Sequence, residues 1–125
     1  MQFEIDARSP VTPSGQLADQ VRIAVASGRL RPLDRLPSVR DVAKGARINP
    51  NTASRAWREL ELSGLLESRR RSGMFVTSGA RRIAAAFRTG ALCERLGRAV
   101  GESLAAGLSP EEIQDLVRKS RRQLP

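Results

Sequence analysis

Residues 48–64 read INPNTASRAWRELELSG. Asn49 is a good N-cap, and Pro50 suits the first helical position, where no backbone N–H is needed. Ala53, Ala56, Trp57 and Leu60 follow the i, i+3, i+4, i+7 spacing of a buried stripe. Gly64 supplies a stop. The segment is predicted as an amphipathic helix with Trp57 in the core. Asn51, Thr52, Ser54, Arg55 and Arg58 face away from the stripe or flank it. The short polar groups gather in the N-terminal half, while Glu59 and Glu61 give the C-terminal half ordinary mixed charge.

Upstream, residues 14–28 place Leu17, Val21, Ala24 and Val25 on one apolar stripe that ends at Gly28. RLRPLDRLP (29–37) reads as a turn-rich connection. Ser38 N-caps a second helix, and Asp41 suits the dipole in its first turn. Val39, Val42 and Ala43 give that helix a small apolar face, and Gly45 is expected to interrupt it. KGARIN (44–49) then forms a tight link to the helix of 48–64. Nearer the N-terminus, QFEID (2–6) alternates like a short strand, and RSPVTPSG (8–15) reads as a loop.

Downstream, LLES (65–68) and MFVT (74–77) are strand candidates flanking RRRSG, a hairpin-sized connection containing glycine. Three helices followed by a hairpin make a winged helix-turn-helix. The predicted class is mainly α with a small β-hairpin, followed by a short α-helical tail. The expected division is 1–78 for the winged domain and 79–125 for a helical dimerisation segment.

In that tail, residues 80–107 are alanine-rich and predicted helical. Ile83 and Phe87 are four apart, as are Leu92, Leu96, Val100, Leu104 and Leu108. Ser109, Pro110 and Glu112 form a capping box that opens a last helix, whose apolar face is Ile113, Leu116 and Val117. Gly90, Gly97 and Gly101 cost about 1 kcal/mol each inside a helix. Close packing against a partner helix is one reason to tolerate them, whereas Gly107 suits a helix end. The expectation is an isologous homodimer through 80–124. The alternative is that these helices fold back on the winged domain of the same chain.

The chain has 125 residues, 22 Lys and Arg against 13 Asp and Glu, and a net charge of +9. Such a balance attracts polyanions, nucleic acid first. With one cysteine, Cys93, and no histidine, no intramolecular disulfide can form and the usual zinc ligands are missing. A histidine-assisted nucleophile is excluded, no carboxylate spacing supports catalysis, and no cofactor or metal is expected. The N-terminus has no apolar signal region, and no run of roughly 18 apolar residues exists. A cytoplasmic, non-enzymatic protein is expected.

The polar end of the 48–64 helix suits the DNA major groove, which admits a helix and exposes base edges to its N-terminal residues. Asn51, Thr52 and Ser54 allow close approach. Arg55 can take guanine bidentately or clamp a phosphate. The helix dipole and free N–H groups favour a phosphate near Asn49. Arg40, near the start of the second helix, would hold a phosphate; otherwise it would pair with Asp41 or Asp34. Arg35 is a weaker candidate of the same kind. Arg69, Arg70 and Arg71 at the hairpin tip are candidate phosphate or minor-groove contacts, with Gly73 as the turn residue. The competing reading is a winged helix that binds protein or RNA. An aromatic content of 3% without tyrosine counts against single-stranded RNA.

The motifs SGRLRP, LPSVRDVA, INPNTASRAWREL, SGLLE and GMFV, spread over residues 14–77, resemble the winged domain of GntR-type bacterial transcription regulators. NPNT before SRAWREL and the short helical tail are similar to the YtrA subfamily. The resemblance implies a dimeric repressor on a palindromic operator, with DNA contacts at Arg40, Asn49, Asn51, Thr52, Ser54, Arg55 and the wing tip. It offers transporter operons as a target class. Any small-molecule effector is left undefined, and so short a tail would place it at the dimer interface. Three departures stand out. Leu33 follows Pro32 where the family often has glycine. Arg71 takes the place of the first of two wing glycines. The first helix opens on TPSG where the family usually has an aromatic residue.

Overall fold

The computed structural model describes residues 1–123, so Leu124 and Pro125 of the expected dimerisation segment lie outside the described residues. The elements are α1 (Pro13–Ala26), β1 (Arg35–Leu36), α2 (Val39–Ala46), α3 (Pro50–Leu62), β2 (Leu66–Arg69), β3 (Gly73–Val76), α4 (Ala80–Thr89), α5 (Ala91–Ala105) and α6 (Pro110–Gln123). Contacts divide the described residues into two compact units, one of residues 1–88 and one from Thr89 on. The expected boundary at 78/79 falls inside the first unit, because Ala80 and Ala84 of α4 are buried in its core.

In the first unit, α1 and α2 both pack on α3. The expected stripes are the core: Leu17, Val21 and Val25 from α1, Val42 and Ala43 from α2, and Ala53, Ala56, Trp57 and Leu60 from α3. Each helix starts on a side-chain cap, with Thr12 accepting from the Gly15 amide, Ser38 from Asp41 and Asn49 from Asn51. Gly45 does not interrupt α2. The helix runs past it to Ala46 and stops where Arg47 turns left-handed at φ 58°, its N–H donating to the Ala43 carbonyl. The Ile48 N–H donates to the same carbonyl at 3.0 Å, so the turn of the helix-turn-helix is a backbone cap.

The sheet is more than a hairpin. Its order is β1-β3-β2, antiparallel throughout, with Leu66 opposite Val76, Arg69 opposite Gly73 and Arg35 opposite Phe75. Residues 29–37, read as connection, therefore contain a two-residue strand. Two residues between prolines show no periodicity, and only the open edge of β3 makes them a strand. The hairpin strands also sit one residue from the expected positions. The Leu65 N–H donates to Leu60 at 3.1 Å and belongs to the cap of α3, while the Thr77 hydroxyl turns to the Gly64 carbonyl at 2.6 Å.

The alternating segment 2–6 is extended but is not a strand. Its backbone pairs with two glutamines one turn apart on α1. Gln20 exchanges two bonds with Glu4, at 3.2 and 2.6 Å, and Gln16 two with Asp6, at 2.8 and 2.9 Å. Side-chain amides thus stand in for a neighbouring strand, and Phe3 and Ile5 point at the core as the alternation implies.

In the second unit, the single helix expected over 80–107 is broken at Gly90, whose ψ of −92° is not helical. Gly107, at φ 102°, follows the end of α5 as expected. Ser109 and Glu112 form both bonds of the capping box, at 3.2 and 3.1 Å. No residue of α5 is buried, and Leu96, Leu104, Leu116 and Val117 stand exposed.

Candidate nucleic-acid interface

α3 is held from behind. The Trp57 ring is buried, meets Phe3 edge-on with centroids 5.7 Å apart, and donates its indole N–H to the Pro37 carbonyl at 3.1 Å. On the side away from the core, Asn51, Arg55 and Arg58 are exposed. Spacings of four and three residues put them in one line along the helix. Thr52 and Ser54 flank this line, half-buried. Arg58, read from sequence as facing away from the stripe or flanking it and left out of the expected DNA contacts, belongs to the same outward row as Asn51 and Arg55. Its spacing was the available signal.

Asn49 is used locally. Its side-chain oxygen accepts the Asn51 N–H at 2.8 Å, and its carbonyl accepts those of Thr52 and Ala53 at 2.9 and 3.3 Å. The first-turn donors expected to be free for a phosphate are therefore occupied, and Pro50 has none. What remains at this end is the positive pole of the helix dipole.

Arg40 and Lys44 lie four apart on α2, and Arg47 occupies the turn; all three are exposed. Asp34, a conceivable partner of Arg40, instead accepts the Arg31 N–H at 2.8 Å. Among the described residues, Arg40, Lys44, Arg47, Arg55, Arg58, Arg70 and Arg71 have no carboxylate within ion-pair distance. Arg22 of α1, by contrast, holds Asp19 at 3.1 Å and Glu59 at 3.5 Å. Unpaired cations thus stand on α2, in the turn after it, on α3 and at the wing tip. Lys44 and Arg47 went unnoticed in the sequence, although i, i+4 spacing already aligns Lys44 with Arg40.

The wing separates its three arginines. The Ser72 N–H closes the turn onto the Arg69 carbonyl at 3.0 Å, with Arg71 at φ 66° and Gly73 at φ 109°. Arg70 and Arg71 stand at the tip. Arg69 is engaged: its guanidinium lies 4.7 Å from the Phe75 ring centroid and 3.1 Å from the Glu67 carboxylate. Arg71 and Leu33, the two positions at which the family resemblance leads one to expect glycine, both have left-handed backbone, Leu33 at φ 75°.

A three-helix core, a small antiparallel sheet and a cationic helix-turn-helix face are what a winged DNA-reading domain requires. The model of the gntR family of bacterial regulatory proteins matches residues 13–76, just over half of the sequence. The chain belongs to the gntR family. Similarity to individual gntR-type proteins extends beyond the winged domain. The HTH-type transcriptional repressor YtrA of Bacillus subtilis is 29% identical over 117 residues, covering 94% of this chain and 90% of that protein. A transcriptional regulator from Oenococcus oeni has the same fold with a TM-score of 0.64 and 30% identity, covering 92% of this chain and 93% of its own. YtrA from Sulfolobus acidocaldarius, a GntR-family transcription factor, matches with a TM-score of 0.55 and 25% identity over 96% of this chain and 97% of its own. As a gntR member the chain is a regulator, not an enzyme. Among the described residues no cluster of metal-ligating side chains occurs and no helix is long and apolar enough to cross a membrane.

Proposed function

We propose that this gntR protein is a cytoplasmic, sequence-specific double-stranded DNA-binding repressor that acts as a homodimer on a palindromic operator. The carrying observation is the unpaired polar row Asn51, Arg55 and Arg58 on a helix whose opposite face is locked in the core. In this reading α3 enters the major groove. Arg55 takes guanine bidentately, and Asn51, Thr52 and Ser54 read neighbouring edges. Arg40 fixes register on a phosphate, with Asn49 presenting the helix dipole beside it. Arg70 and Arg71 at the wing tip face the minor groove or its phosphates, and Gly73 with Arg69 shapes that tip. The Bacillus relative bears the name of a repressor, which supports this sign of regulation.

The dimer rests on the second unit. The exposed Leu96, Leu104, Leu116 and Val117 call for a cover, and a second copy supplies the same faces by two-fold symmetry. A Cβ at Gly97 or Gly101 would meet nothing in this chain, which leaves both positions open to close approach of a partner helix. A small-molecule effector, if the protein has one, belongs at that interface, and a transporter operon is the target class the family resemblance suggests.

Selection of bound duplexes from a random library tests the whole reading. The expected product is a palindrome with half-site centres about one helical turn apart, ~34–36 Å. Recovery of unrelated sequences would sink it.

A further inference from the structure

The outer face of the wing sheet carries one cation that the hairpin does not supply. In the register, Arg35 of β1 stands opposite Phe75, and Phe75 stands opposite Glu67. Paired residues project to the same side of a sheet, and so do residues two apart. Arg35, Phe75, Glu67, Gly73 and Arg69 therefore share one face. The other face carries Leu36, Leu66 and Val76 into the core.

The two guanidiniums on the outer face are in different states. Arg69 is stacked on Phe75 and paired with Glu67 at 3.1 Å. Arg35 is exposed and has no carboxylate within ion-pair distance among the described residues. It lies along Gly73: a Cβ on that glycine would come 3.1 Å from its Nε and 3.5 Å from its Nη2. Gly73 is the first residue after the wing turn and pairs with Arg69. The missing side chain thus opens a seat in which a guanidinium from β1 rests against the base of the wing tip.

We propose that Arg35 is a phosphate contact of the wing, seated by Gly73, and that Arg69 is the brace beside it and makes no phosphate contact. The proposal rests on the DNA-binding reading and deepens it by naming the residue that adds affinity without reading sequence. A guanidinium already laid along backbone loses less freedom when it docks, and its planar fork suits two phosphate oxygens. Pairing with Glu67 and stacking on Phe75 oppose the same move at Arg69, because both contacts would have to be given up. Gly73 then has two duties, a φ of 109° and an open surface for Arg35.

The test is fluorescence anisotropy of the full chain on the selected operator and on a random duplex, from 50 to 200 mM salt. Each phosphate contact contributes about −0.9 to the log–log slope, so Arg35→Ala, which removes one contact from each protomer of the dimer, should flatten it by about 1.8 on both duplexes. Over this salt range the affinity change then shrinks by about 12-fold. Arg35→Gln, which keeps a polar side chain over Gly73, should behave like Arg35→Ala, and Arg35→Lys should recover the slope. Arg69→Ala should lower the melting temperature and leave the slope alone. An unchanged slope in both Arg35→Ala and Arg35→Gln would make Arg35 a structural strut and overturn the proposal, as would an equal loss in Arg69→Ala. If the unsubstituted chain shows no salt-dependent duplex binding, the regulator reading falls together with this one. If it binds but Arg35 is silent, only this one falls.

Discussion

The indole N–H of Trp57 donates to the carbonyl of Pro37 at 3.1 Å, tying the middle of α3 to the residue before the N-cap of α2. One bond thereby joins the two helices of the helix-turn-helix from the core side. Trp57→Phe keeps a ring against Phe3 but leaves that carbonyl without its donor. Urea unfolding should show a loss of about 1–2 kcal/mol. Trp57→Ala, which also empties the site, should cost about 3–5 kcal/mol.

Arg55 separates base reading from general attraction. Arg55→Ala should cost about 1–3 kcal/mol on the selected operator and little on random DNA, measured by titration of both. Arg55→Lys should not restore discrimination, because a point charge lacks the two-pronged donor geometry. Equal weakening on both duplexes would make Arg55 a phosphate anchor.

Leu33 and Arg71 hold left-handed backbone at φ 75° and 66°. The Leu33 side chain is 61% exposed and its N–H donates to Val76 at 2.8 Å, so the sheet imposes the conformation and the side chain gains little burial. A non-glycine residue there costs about 1–2 kcal/mol, partly offset by the extra freedom of an unfolded glycine, about 0.5–1 kcal/mol. Leu33→Gly should therefore raise the unfolding free energy by up to about 1 kcal/mol, and Leu33→Ala should not. Arg71→Gly should also stabilise the fold while weakening DNA binding, two readouts of opposite sign.

Gln16 and Gln20 act as a substitute strand for residues 4 and 6. Replacing both with alanine removes four bonds to this backbone and should cost about 1–3 kcal/mol. Hydrogen exchange should show the Glu4 and Asp6 amides losing protection while the amides of α3 keep theirs. Retained protection at Glu4 and Asp6 would show that Phe3 alone anchors the segment.

Leu96 and Leu104 are exposed on α5 two turns apart. If a second copy covers them, Leu96→Glu with Leu104→Glu should shift sedimentation from dimer to monomer, with helical circular dichroism preserved. Affinity for a palindrome should fall steeply, and affinity for a single half-site should not. An unchanged dimer would place the interface elsewhere.

Capping and periodicity are local properties, so the three helices of the winged domain and their buried faces were legible in the sequence, as were the caps of α2 and α3, though not the Thr12 cap of α1. Asn49 with Pro50, Ser38, and the Ser109–Glu112 box needed no tertiary information, and neither did the stripe through Trp57. Tertiary structure decided what depends on residues distant in the chain. Arg35–Leu36 became a strand only because β3 had an open edge. Residues 2–6 found no strand partner because two glutamine side chains reached their backbone first. Residues 80–88 joined the first unit because Ala80 and Ala84 fit its core. The wing arginines, alike in the sequence, were divided by their neighbours in the sheet: Glu67 on the same strand and Phe75 on the next engage Arg69, while Gly73 leaves room for Arg35 of β1. The stretch RRRSGMFV supplies the charge of the wing, and the sheet register selects which guanidiniums stay free to use it.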